Sequence, residues 1–181
     1  PSEKNTVKLL VSRVDLNDPA DIWTLDGSLN TLSDRPGMDS QKTSSYGLKI
    51  FQDLEGFEIQ SLTSSTDTYV IFSYDSDWGN EDSWSPFIYD YFSETLRDRR
   101  TFGQEFRLVS DEADLNRNKK IEWIFGVSYL EIKESNLKKD DGNYGDPSDP
   151  YGPYSSSSSS SSNYKSENFS LFGNIDYLLS E

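Results

Sequence analysis

The chain has 181 residues, 33% hydrophobic and 14% aromatic, and its 32 acids against 17 bases give a formal net charge of −15. A length of this order suits one domain that buries about 70% of its unfolded surface without staples. The absence of any His or Cys excludes thiol catalysis, thiolate zinc sites, disulfides and His-dependent triads, and the acidic excess argues against unassisted binding to nucleic acid or anionic membranes.

The segment 1–6 has no hydrophobic signal core, and no stretch approaches the roughly 18 apolar residues of a helical span, so a soluble chain with no membrane span is expected. Val7, Leu9 and Val11 alternate with polar residues, as do Tyr46, Leu48 and Ile50, and period-two alternation marks half-buried strands. Between them, Asp18-Pro19, Asp26-Gly27 and Pro36-Gly37 are turn signals. Gly56 to Gln60 and Thr68 to Tyr74 predict two further strands, the second apolar on both faces as in a central strand.

An oxygen-rich cluster, Asp75 to Asp82, follows. Asp75, Asp77 and the Gly79 carbonyl are candidate calcium ligands, since a cation relieves repulsion among crowded carboxylates; the plainer reading is a solvated turn. Trp78 and Trp84 beside it could stack on sugar rings or simply pack at the rim of a core. Ser93 to Arg100 predicts a short helix with Ser at its N-cap, or else a loop.

Phe102, Phe106 and Leu108, then Ile121, Trp123, Phe125, Val127 and Tyr129, predict a β-hairpin with an acidic tip. At that tip Asp114, Asn116, Asn118 and Glu122 supply side-chain oxygens at alternate or near-alternate positions, and Lys120 offers its carbonyl. Over these nine residues the spacing resembles the EF-hand and dockerin-type calcium loop at positions 1, 3, 5, 7 and 9. It departs at Lys119, where Gly is wanted, and at Phe125, where a bidentate acid is wanted. The resemblance implies a bound calcium ion; Asn, Asp and charged residues also suit a tight, solvated turn. From Leu130 the apolar residues change phase, which predicts a β-bulge between Gly126 and Leu130 or a strand changing sheets.

Residues 135–166, rich in Asp, Gly and Pro and including eight consecutive serines, lack apolar side chains and are expected to be a linker. Residues 167–181 are apolar again, and Phe169, Leu171, Phe172, Ile175 and Leu178 predict a docking segment for the parent domain or a neighbouring subunit.

These readings predict a mainly β protein, an antiparallel β-sandwich or barrel-like domain over residues 1–134 with little helix and an extended C-terminal arm. The function expected is noncatalytic: a structural or assembly protein docking on protein subunits, its own copies or others, as in a virion, tail or surface layer, with calcium as the one candidate cofactor. A calcium-dependent carbohydrate-binding module and an acidic DNA mimic are the alternatives, and a two-carboxylate hydrolase is the one enzyme class the composition leaves open.

Overall fold

The structure, a computed structural model, describes residues 5–20, 23–112 and 120–179. The fold is mainly antiparallel β, as the alternation predicts. Six strands, β1 (Asn5–Pro19), β2 (Met38–Leu54), β3 (Phe57–Asp75), β4 (Ile88–Ser110), β5 (Ile121–Gly145) and β6 (Tyr154–Tyr177), form one sheet in chain order. Each strand pairs antiparallel with the next, leaving β1 and β6 as edges. Pro19 closes β1, an edge position where a residue without an N–H is tolerated. The Glu55-Gly56 turn joins β2 to β3, with Gly56 at φ 94°; tight hairpin turns need such positive φ values. The one helix among the described residues, α1 (Glu81–Trp84), is a single turn whose N-cap Asn80 side chain accepts from the Ser83 N–H.

Four expectations change. Ser93 to Arg100 lies inside β4, because its backbone pairs on both sides, with β3 and β5, and that pairing overrides a weak local helix preference. No bulge interrupts β5: its register with β4 and with β6 is continuous through Gly126 to Leu130. The change of phase is a change of face, for Tyr129 and Leu130 point to opposite sides of one unbroken strand. Most of residues 135–166 is strand rather than linker: 135–145 and 154–166 are the far ends of β5 and β6, joined by residues 146–153, with the serines Ser155 to Ser162 paired residue by residue with Asn143 to Asn136. Serine contributes no apolar side chain, yet it leaves the backbone free to complete a ladder, and here the ladder decides. The segment after it is the near end of β6, paired with β5, rather than a separate arm.

Ala20 is the only buried hydrophobic residue among those described, and the large apolar side chains of the strands are partly or largely exposed. No second sheet or helical layer covers either face among the described residues. A packed domain buries one face of each element against another layer; the described residues provide no such layer for this sheet.

Candidate functional site

Cross-strand partners share a face and successive residues alternate, so the register assigns every strand residue to one of two faces. On the first face, a band nine residues tall on β5 and β6 carries Ile121, Trp123, Phe125, Val127 and Tyr129 beside Tyr177, Ile175, Gly173, Leu171 and Phe169. The same rows continue through Leu108 and Phe106 of β4, Phe57 and Ile59 of β3, Leu54, Ile50 and Leu48 of β2, and Val7 and Leu9 of β1. Although 27% of the chain is charged, the described strand residues of these rows include no Asp, Glu, Lys or Arg on this face. Their polar side chains satisfy one another: Thr63 donates to Gln104 Oε1 at 2.6 Å, and Gln104 donates to Ser61 Oγ at 3.2 Å.

Aromatic residues bound the band above and below. Phe57 and Trp123 lie 6.4 Å apart at one rim, and Phe102 and Tyr129 lie 6.4 Å apart at the other. Beyond the second rim, Arg13, Arg100, Lys133 and Lys165 stand with Asp67 in a single row. Lys133 and Lys165 reach back to Glu131 and Glu167 at 2.7 and 3.0 Å. An open depression of about 980 Å³ on the apolar face is lined by Ile59, Leu108, Phe125, Leu171 and Ile175.

The opposite face over the same rows is mixed and charge-bearing: Asp53, Glu58, Glu105, Glu122 and Asp176 and the bases Lys8, Lys49 and Arg107 stand among Gly126, Ser128 and Ser170 and the apolar Phe51, Leu62, Val109, Ile124 and Phe172. Within the band two cross-strand pairs join an aromatic ring to a glycine: Phe125 covers Gly173 on the apolar face, and Phe172 covers Gly126 on the reverse face. Such rings pin register where glycine leaves the backbone bare. The predicted docking residues therefore divide: Phe169, Leu171 and Ile175 belong to the apolar band, Phe172 to the reverse face, and Leu178 follows the strand, its N–H donating to the Lys120 carbonyl at 2.8 Å.

The Asp75 to Asp82 cluster lies at the far end of the sheet, where the connections after β1 and β3 pack together. Asp34 N–H donates to the Gly79 carbonyl and Ala20 N–H to the Gly37 carbonyl. Asp75 and Asp77 are 2% and 4% exposed, and their oxygens meet N–H groups. Asp75 Oδ1 accepts from the Asp77 and Trp78 amides, while Asp77 accepts from Gly79, from the Trp84 indole at 3.0 Å and from Tyr91 at 2.7 Å. These are Asx turns, in which carboxylates stand in for backbone acceptors. Asp75 Oδ2 and the Ser33 hydroxyl are buried without a hydrogen-bond partner. Burial is the first cause that raises the Asp75 pKa, with the Asp77 charge adding to it; partial desolvation and the Asp77 and Asp90 charges raise that of Asp34.

Trp78 adopts φ 63°, a strained value for a bulky residue. The hydrogen bond its N–H donates to Asp75 Oδ1 and its stack on Trp23, with ring centroids 5.5 Å apart, hold it there. Trp84 packs against Tyr89 at 4.9 Å, and Tyr89 against Tyr91. Arg35 ties this cluster to the sheet, donating to Asp90 at 3.2 Å and Asp141 at 2.8 Å above the Phe92 ring.

Of the predicted hairpin-tip ligands, Asp114, Asn116 and Asn118 lie outside the described residues; Glu122 and the Lys120 carbonyl stand where β5 begins. Among the described residues no group of three or more carboxylates is placed to hold a metal ion, and no helix is long and apolar enough to cross a membrane. Individual alternating residues were visible in the sequence, but the band needed the register. The sequence matches no protein-family model and no curated protein.

Proposed function

We propose that this sheet is part of the wall of a membrane-spanning β-barrel, a noncatalytic structural role in which lipid covers the apolar band. The uncharged band on one face carries this reading, because among the described residues nothing else covers it. A transmembrane strand needs about 9–11 residues and presents an apolar belt of about 25 Å between aromatic girdles. Nine residues at about 3.3 Å each span roughly 26 Å along the strand, somewhat less along the membrane normal once tilted. The opposite face, which carries every described charged strand residue at that height, suits a water-filled interior. Beyond the charged rim the strands continue with polar residues on most positions. An unpaired strand edge is not tolerated in hydrocarbon, and the smallest single-chain barrels use about eight strands, so strands beyond β1 and β6 complete the wall.

The test reconstitutes the protein in lipid vesicles with an environment-sensitive probe scanned along β6. Probes at residues 169, 171, 173 and 175 are expected to be quenched by lipid-borne quenchers, and those at 168, 170 and 174 by aqueous ones. A chain that stays out of the vesicles, or a scan without two-residue periodicity, overturns the reading.

A further inference from the structure

We propose that β1 and β6 are the two halves of one seam, through which copies of this chain join edge to edge, β1 of one copy beside β6 of the next. Among the described residues nothing pairs with the outer side of either strand, and an open edge is a template for a further strand. Six antiparallel strands in chain order leave β1 and β6 running in opposite directions. An identical copy therefore extends the sheet with antiparallel pairing and keeps the apolar face on one side.

The side chains select one register. With Leu9 opposite Leu171, all 15 residues of β1 find partners between residues 161 and 175 of β6. The apolar band then continues across the seam, Val7 facing Gly173 and Val11 facing Phe169. Beyond the band Arg13 meets Glu167 and Asp15 meets Lys165, while the pairs on the reverse face bring no two charges together. Among the described residues neither Arg13 nor Asp15 closes an ion pair within its own chain, whereas Lys165 and Glu167 lie 3.0 Å apart along β6. The seam completes an alternating square of these four charges. A slip of two residues, the smallest that preserves the faces, sets Arg13 against Lys165 in one direction and Asp15 against Glu167 in the other. Like charges directly opposite one another destabilise a sheet. The backbone ladder supplies the affinity, and the charges fix the register. The seam does not depend on what covers the band; in lipid it supplies strands that the wall needs beyond its edges.

The chain contains no cysteine, so a thiol placed on each edge has no competing partner. Leu9→Cys and Leu171→Cys chains, carrying tags of different size, are refolded together in detergent micelles and in lipid vesicles, oxidised and resolved by mass. The expected product is a mixed disulfide between copies, in higher yield than from Leu9→Cys with Tyr177→Cys, which lies on the same face but out of register. Light scattering of the wild-type chain should show an oligomer. Arg13→Glu should weaken it about three- to tenfold, the scale of one cross-strand charge pair made repulsive, and Glu167→Arg in the same chain should restore it. Circular dichroism of each variant separates loss of association from loss of fold. A monomeric wild-type chain, equal disulfide yields in and out of register, or an Arg13→Glu defect that Glu167→Arg leaves uncorrected overturns the inference. A chain that forms the seam in micelles but stays out of vesicles overturns the barrel reading and leaves the seam standing.

Discussion

Adjacent residues on β6 provide the sharpest test of the two-faced sheet. Leu171 is 73% exposed in the sheet and sits one same-face step from Gly173 at the middle of the uncharged band; Ser170, its neighbour, faces the other way. Leu171→Arg places a guanidinium against hydrocarbon close to mid-depth, where such a charge costs about 2–3 kcal/mol. Since 1.36 kcal/mol is tenfold, this corresponds to about a 30- to 160-fold fall in the folded-to-unfolded ratio. Ser170→Arg points its charge into the aqueous interior and should cost no more than about 0.5 kcal/mol, as surface substitutions do. Reversible urea unfolding from lipid vesicles, followed by tryptophan fluorescence, measures both. Equal costs would refute the assignment of faces. So would a neutral or stabilising Leu171→Arg, the outcome for a leucine that faces water in the native protein.

Three further outcomes concern the loop cluster. Gly37→Ala should destabilise by about 2–3 kcal/mol, the scale of an overpacked site, because the new methyl lands on the Ser73 carbonyl oxygen, which is backbone and cannot turn aside; chemical denaturation reads it. Trp84→Phe keeps most of the contact with Tyr89 but removes the indole donor to Asp77, costing about 1.5–3 kcal/mol for a hydrogen bond to a charged group, read by chemical denaturation. Asp75→Asn keeps the Oδ1 acceptor and gives Ser33 a donor, so it should raise stability at neutral pH by about 1 kcal/mol. The sign follows from the raised native pKa of Asp75. The native state holds this proton more tightly than the unfolded chain, so stability falls as pH rises from the ordinary value of 3.8 through the native one, and the Asn variant should lose that part of the slope. An unchanged slope would remove Asp75 from the account.

How much of this was legible beforehand depends on the range of the signal. The alternation at Val7, Leu9 and Val11, at Tyr46, Leu48 and Ile50, and from Ile121 to Tyr129 is local, because a strand's two-residue period is written in consecutive residues. The acidic balance and the lack of His and Cys likewise bounded the chemistry from composition alone. The serines of β6 could not announce a strand, since their pairing energy lies in a backbone ladder with β5 that no side chain advertises. Leu130 suggested a bulge because phase is readable in one strand, whereas a face is a property of two.

The tertiary arrangement decided what one strand could not. Only the register brings Val7, Leu48, Phe106, Val127 and Leu171 onto a common surface without a charge, and only it sets Lys8 beside Lys49 behind that surface. Composition therefore determined that the protein is acidic, aromatic and built of strands. Pairing between residues far apart in the chain determined where the charges are absent, and the environment a sheet can enter depends on that distribution rather than on its total.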